Sequence, residues 1–385
     1  MSQAEIALKG NVWTEEGFRP GRVTLHGKQI QSVEFEEGAA VDPEALMITP
    51  GLIDLQINGA IGYDFTVQPD SLVAVAEALP RWGVTTFLPT YITAPLEAYK
   101  SALEYLKAYA EDGIPGAVPL GAHIEGPYLN PKFRGAHDPS QVREPSMPEV
   151  KSLLAVRKDG QPLLKLFTLA PEEPGALEII SLLAREGVLV AVGHSGATYE
   201  EGMQAFENGA RCATHLFNAM PPLHHRNPGL VGAALDYPTA TTNLIVDGIH
   251  LHPAIVKMIY KVKGWRHVTL VTDAMAGMGV PPGQYVLAGQ TVIVDDTSAR
   301  LADSPGTLAG SILTLDAAIR NMIAFTGCEP HEAVAMATLN PAHLLGLEDQ
   351  KGRLAPGYDA DIAVFDADFK PYMTIVGGRK VFGDI

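Results

Sequence analysis

From Gly51 onward, short apolar runs of strand character alternate with amphipathic stretches of helical spacing, and few folds accept that rhythm. The runs are GLIDLQIN (51–58), TTFLPT (85–90), AVPLGAHIEG (117–126) and LLKLFTLAP (163–171). They continue with VLVAVGH (188–194), CATHLFN (212–218), TTNLIVDG (241–248) and HVTLVTDA (267–274). Between several of them lie stretches such as SLVAVAEALPRWG and GALEIISLLAREG, whose apolar spacing suits helices. Strands joined by helical crossovers predict an α/β chain built on a (β/α)8 TIM-like barrel, with its chemistry at the carboxyl ends of the strands. A doubly wound sheet is the competing arrangement, but no strand is followed by G-x-G-x-x-G.

The two ends read differently. RVTLHGKQIQSVEF (22–35) is a pair of strand-like segments around His26-Gly27-Lys28. KGRLAPGYDADIAVFD and PYMTIVGGRKVF, near the other end, are again strands joined by glycine turns. Neither end alone has enough apolar residues for a core. Both are therefore expected to form one small β-sandwich domain, from residues 1–50 and 346–385, flanking a barrel of residues 51–345.

Composition narrows the function. No apolar run reaches membrane-spanning length, and MSQAEIALKG lacks the basic start and apolar core of a signal peptide. The two cysteines, Cys212 and Cys328, give no disulfide framework, which fits a reducing cytoplasm. A net charge of -16 argues against a nucleic-acid or membrane partner and leaves a small molecule. An anionic ligand would need a local basic cluster. PPLHHRNPG supplies one, with His224, His225 and the planar fork of Arg226 after the sixth strand.

Polar residues sit at the tips of the predicted strands. The third ends in GAHIEGP with Glu125, the fifth in VGHSG with His194, the sixth carries THLFNAMPP with His215, and the eighth ends in VTDAMAG with Asp273. Barrel interiors are normally filled by branched apolar side chains, so charged or imidazole tips need a reason. Two histidines and a carboxylate from three strands make a three-ligand metal site with one position open to water. Asp273 is then the proton carrier. His123 shares a strand face with Glu125 and supports either the ligands or the core. The first strand, PGLIDLQING, adds Asp54, Gln56 and Asn58 on one face, with no histidine.

In this order the motifs PGLID, HIEGP, RGAH, LAPE, GHS, THLFNAM, DGIH, TDAM, LAGS, NPA and GRLAPGYDAD resemble the amidohydrolase superfamily. More narrowly they resemble its N-acetylglucosamine-6-phosphate deacetylases, enzymes of amino-sugar catabolism and recycling. The run HIEGP, THLFNAM, DGIH carries most of that specificity. The resemblance implies one divalent metal per subunit on Glu125, His194 and His215, with Asp273 as catalytic acid and base and His137 polarising the acetyl carbonyl. It implies substrate contacts from Asn218, Ala219, Arg226 and His250 to the phosphate, and from Leu308 and Ala309 to the sugar. Arg226 would be lent by a neighbouring subunit, hence a homodimer. Gln56 and Asn58 replace the His-x-His of two-metal relatives, so a single ion is expected. Zinc suits these donors, and iron, cobalt and manganese accept them too.

Two rivals stand beside this reading. A cyclic amidase or acyl-amino-acid deacylase would place a bridging lysine at the tip of the fourth strand, yet Lys165 lies well back in FTLAPE's strand. A non-enzymatic assembly protein would have no use for the intact tip residues.

Overall fold

The computed structural model describes residues 6–109 and 115–383; Met1 to Glu5 of the N-terminal stretch read above lie outside them. Eight parallel strands form the centre: β1 (Leu52–Ile57), β2 (Val84–Ile92), β3 (Ala122–Glu125), β4 (Leu164–Leu169), β5 (Leu189–Val192), β6 (Cys212–Ala213), β7 (Thr241–Leu244) and β8 (Val268–Leu270). They neighbour one another in chain order. A parallel bridge from Ile57 to Ala274, just past β8, brings the last strand back to the first. Each strand is buried on both faces among Val, Ile, Leu and Ala, as crossover helices on the outside require. Two of those helices, Leu72–Ala78 and Ala176–Arg185, lie in the stretches whose spacing predicts them.

Several strands are shorter than their apolar runs. β6 stops after two residues because His215, Phe217 and Ala219 all take left-handed backbone angles. β3 starts only at Ala122, and Val118–Pro119 forms a separate short pairing with β2.

The chain ends share a seven-stranded sheet. Its order runs Arg379–Phe382, Pro371–Val376, Ile362–Phe365, Met47–Pro50, Ile6–Thr14, Gly17–His26, Gln29–Phe35. Met47–Pro50 lies between the N-terminal and C-terminal strands, and its last residue leads directly into β1. The sheet has its own apolar cluster around Val12, Val23, Leu25, Ile48, Ile362 and Ile375.

A second antiparallel sheet escapes sequence reading. Gly283–Leu287, Gln290–Val294, Ala299–Leu301 and Ser304–Leu308 pair in succession after β8. Its inner side packs Val292, Val294, Ala299 and Ala309 against Ile92 and Met275. Two polar contacts fasten it across the barrel mouth: Asp64 Oδ2 accepts from Ala288 N at 3.0 Å, and Gln290 Nε2 donates to Ala136 O. No helix among the described residues is long and apolar enough to cross a membrane.

Candidate active site

The strand tips converge on a cavity of about 250 Å³. Glu125 ends β3, His194 follows β5 by two residues, His215 follows β6 by two, and Asp273 follows β8 by three. All four are nearly buried. His194 (φ 49°), His215 (φ 26°) and Asp273 (φ 48°) hold left-handed backbone conformations. Each costs a non-glycine residue on the order of 1 kcal/mol, so the surrounding packing must impose them. The residue before His194 shows one such constraint: a Cβ on Gly193 would lie 2.3 Å from the Thr214 methyl.

Two imidazole nitrogens and a carboxylate oxygen face one another at the centre. His194 Nε2 lies 3.1 Å from Glu125 Oε1, His215 Nε2 lies 2.9 Å from the same oxygen, and the two nitrogens are 3.0 Å apart. His194 Nδ1 is 3.0 Å from the Phe133 carbonyl, which can only accept, so Nδ1 carries the proton and Nε2 offers a lone pair. A lone pair aimed at a carboxylate oxygen is repulsive unless a cation lies between them. Three donors each about 2.1 Å from an ion in a tetrahedron would be roughly 3.4 Å apart, close to this triangle. Burial opposes ionisation of Glu125, yet the two imidazoles hold its carboxyl well below the usual range. Glu125, His194 and His215 therefore have the chemistry of a metal site with one position open to the cavity.

Glu125, His137 and His194 also offer ligand atoms within 4.8 Å of one another. The tautomer of His137 decides against that set. The Thr93 hydroxyl lies 2.7 Å from His137 Nδ1 and can donate or accept, but the Thr93 backbone N–H, which can only donate, reaches the same nitrogen at 3.3 Å; with both donating, Nδ1 accepts and Nε2 keeps the proton. Burial and the neighbouring His194 push the His137 pKa down to about 3, leaving the ring neutral. Its Nε2–H, 4.0 Å from Glu125 Oε2, is a hydrogen-bond donor to the cavity rather than a ligand.

Asp273 is held from the first strand. Asn58 Nδ2 donates to its Oδ1 at 2.7 Å and Gln56 Nε2 to the same oxygen at 3.2 Å. Gln56 is oriented in turn by the Thr214 hydroxyl, which donates to its Oε1 at 2.9 Å. Oδ2 has no partner among the described residues. Burial, then the charge of Glu125, raises the Asp273 pKa to about 6.

The other expected residues divide. Asn218, Ala219, His250 and Leu308 line the cavity. His250 Nδ1 is 2.6 Å from Asp247 Oδ2, which fixes the ring. Ala309 points away into the cluster beneath the second sheet. Arg226 is exposed and outside the cavity lining, its guanidinium 2.8 Å from His225 Nε2. The His224 and His225 rings lie beside it with centroids 4.3 Å apart and planes tilted by 41°. His123 belongs to the barrel core, bound at both nitrogens by Thr90 (3.1 Å) and Thr168 (2.8 Å). Lys165, half-buried, does not line the cavity.

Two supporting residues carry no role in the sequence reading. Glu172, in LAPE after β4, accepts from Ser195 Oγ at 2.7 Å, Gly196 N at 2.5 Å and Asn130 Nδ2 at 3.0 Å. It ties the loop after His194 to the loop that carries Phe133. Asp64 accepts from Thr66 N and Val67 N and fastens the second sheet over the mouth. Both are carboxylates next to glycine- or threonine-rich turns, a signal too common to single them out.

The chain belongs to the amidohydrolase family, whose profile matches residues 47–381. Within it the likeness is to amino-sugar phosphate deacetylases. An Escherichia coli O157:H7 N-acetylgalactosamine-6-phosphate deacetylase is 39% identical over 92% of this chain and 93% of its own. The N-acetylglucosamine-6-phosphate deacetylase of Lysinibacillus sphaericus is 37% identical over 96% and 92%. A Mycobacterium smegmatis N-acetyl-D-glucosamine-6-phosphate deacetylase variant, solved in complex with N-acetyl-D-glucosamine-6-phosphate, is 33% identical. It superposes with a TM-score of 0.90 over 98% of this chain and 100% of that one.

Proposed function

We propose that this chain is a metal-dependent deacetylase that hydrolyses N-acetylglucosamine-6-phosphate to glucosamine-6-phosphate and acetate. The observation that carries the reading is the triangle formed by Glu125 Oε1, His194 Nε2 and His215 Nε2, with the His137 N–H donor and the Asp273 carboxylate around one cavity. The likeness to deacetylases of both epimers supplies the substrate class.

Glu125, His194 and His215 would hold one divalent ion, zinc by donor type, whose chemistry is to lower the pKa of a water to roughly 7 and to polarise a carbonyl. Asp273 takes the proton of the attacking water on its free Oδ2, while Asn58 and Gln56 keep Oδ1 in place. His137 Nε2–H donates to the acetyl oxygen as it gains charge, an interaction worth about 3 kcal/mol at comparable sites. Asp273 then gives its proton to the sugar nitrogen, and the amine leaves.

Asn218, Ala219 and His250 surround the place for the 6-phosphate, and Leu308 lies against the sugar. Ala309 acts behind the wall. Arg226 stands outside its own cavity, which favours a homodimer in which each subunit lends this arginine to the other. The chain then acts as a cytoplasmic enzyme in amino-sugar recycling.

The test is acetate release from three substrates with zinc supplied: N-acetylglucosamine-6-phosphate, its galactosamine epimer, and unphosphorylated N-acetylglucosamine. Release from the glucosamine phosphate ester in preference to the other two supports the proposal. A preference for the galactosamine ester keeps the chemistry and overturns the epimer. Equal rates on the unphosphorylated sugar overturn the phosphate site.

A further inference from the structure

A second cavity, of about 690 Å³, opens at the opposite end of the barrel. Arg211, Thr241 and His267 line it, and these stand where β6, β7 and β8 begin. The active-site residues stand where the strands end. The two cavities share no residue.

Its charge is unlike that of the molecule. In a chain of net charge -16, the lining brings together Arg211, Arg266, His267, His343 and Arg353. Each carboxylate in the lining is engaged through one oxygen, while Glu348 Oε2 is buried without a hydrogen-bond partner among the described residues. Glu15 Oε1 accepts from Arg353 Nε at 2.8 Å, and Glu348 Oε1 lies 3.1 Å from His343 Nδ1. Arg211 and Arg266 have no carboxylate partner among the described residues. The excess positive charge registers on His267, whose pKa is lowered by burial and then by Lys263, His343 and Arg266.

Flat apolar surface lies beside these cations. Phe206 and Tyr237 stack at 5.2 Å, and the Arg266 guanidinium lies 4.0 Å above the Trp265 ring. A void between barrel and end sheet needs neither unpaired guanidinium groups nor aromatic walls. Together they match a ligand with a planar ring and a phosphate: guanidinium groups recognise phosphate oxygens by paired donors, and aromatic faces accept a base by stacking.

We propose that this cavity is a second ligand site, for an organic anion of the nucleoside-phosphate class. Arg211 and Arg266 hold the phosphate and the ring lies against Tyr237 and Trp265. The site is separate from the deacetylase cavity and stands whether or not the substrate assignment does.

The test is calorimetric titration of the full-length, metal-loaded protein with AMP, followed in parallel by tryptophan fluorescence. Binding is expected at micromolar concentration, with adenosine and inorganic phosphate each weaker by about tenfold or more. Arg211→Glu and Arg266→Glu should each weaken AMP by about tenfold or more while leaving deacetylation unchanged. Arg211→Gln serves if the charge reversal fails to fold. Arg226→Ala, at the other end of the barrel, should leave AMP binding intact. The proposal is overturned if AMP does not bind at millimolar concentration, or if phosphate binds as well as AMP. Loss of binding in Arg226→Ala, or its survival in both Arg211 and Arg266 variants, overturns it equally.

Discussion

Asn58 Nδ2 lies 2.7 Å from Asp273 Oδ1, so the first strand's tip grips the carboxylate that follows the last strand. Gln56 reaches the same oxygen at 3.2 Å. The amide pair fixes one oxygen of Asp273 and leaves the other free. Removing the grip should disorder the proton carrier without emptying the metal site. Asn58→Ala is expected to lower kcat by roughly ten- to a hundredfold with KM and metal content unchanged. A fall in bound metal equal to the fall in rate would assign Asn58 to the ion instead.

Asp273 itself should be indispensable to turnover and dispensable to binding. Asp273→Asn keeps the hydrogen-bonding shape but cannot take a proton. Its kcat is expected to drop by on the order of a thousandfold or more, while metal analysis still finds the ion. Near-normal turnover would remove Asp273 from its role.

The ion count follows from the first strand. Without histidines at Gln56 and Asn58, active protein should carry one tightly bound divalent ion per chain. Chelation should abolish activity, and zinc should restore it. His215→Ala should lose the ion, because only Glu125 and His194 would then face it. Two tightly held ions per active chain would refute the one-metal reading.

Arg226 offers a test that separates subunits. Arg226→Ala should raise KM for the phosphorylated sugar by about tenfold or more and change the unphosphorylated sugar little. Mixing it with the inactive Asp273→Asn protein, after subunit exchange, should recover part of the activity. One subunit of the hybrid then has an intact carboxylate and receives an intact arginine. Absence of recovery in a verified hybrid dimer would place Arg226 outside the shared site.

A pH effect on stability resides beneath the site, in Asp54. It is buried, accepts from Thr272 Oγ1 at 2.6 Å, and burial raises its pKa from 3.8 to about 7. A carboxyl group whose pKa is higher folded than unfolded stabilises the fold fully below the unfolded value, and that stability is lost as pH rises through the folded one. Asp54→Asn removes the titration and can still bond, its amide donating to Thr272 Oγ1 and that hydroxyl to the Gln56 carbonyl. Between pH 6 and pH 8, wild type should lose about 1.4 kcal/mol relative to the variant in urea unfolding. Parallel stability curves would show that Asp54 is ionised in the native protein throughout.

The barrel was legible because its strands are buried on both faces and so read as unbroken apolar runs. Their tips were legible because a buried carboxylate or imidazole at the end of such a run has no packing purpose. The second sheet was not legible. Gly283–Leu287 and Gln290–Val294 are half exposed, with Gln284, Val286, Thr291 and Ile293 outward, and short runs of that kind also occur in loops. The length of β6 was lost for a different reason, since left-handed angles at His215, Phe217 and Ala219 are imposed by tertiary packing. Sequence placed Gln56 and Asn58 on one face but could not reveal what they hold, because Asp273 lies 215 residues beyond Asn58. The tautomer of His137 likewise depends on Thr93, which is 44 residues distant.

The strand Met47–Pro50 pairs on one side with Ile6–Thr14 and on the other with Ile362–Phe365, and Thr49 Oγ1 donates to a carbonyl 314 residues later, that of Ala363. A ribosome delivers the first partner before the barrel and the second after it. Throughout synthesis of the barrel, the N-terminal hairpin therefore stands with an open strand edge, the kind of edge that invites pairing with another chain. The strand Ile362–Phe365 closes it. Its loss, by premature termination or clipping, would be felt as aggregation of nascent chains well before it was felt as a change in catalysis.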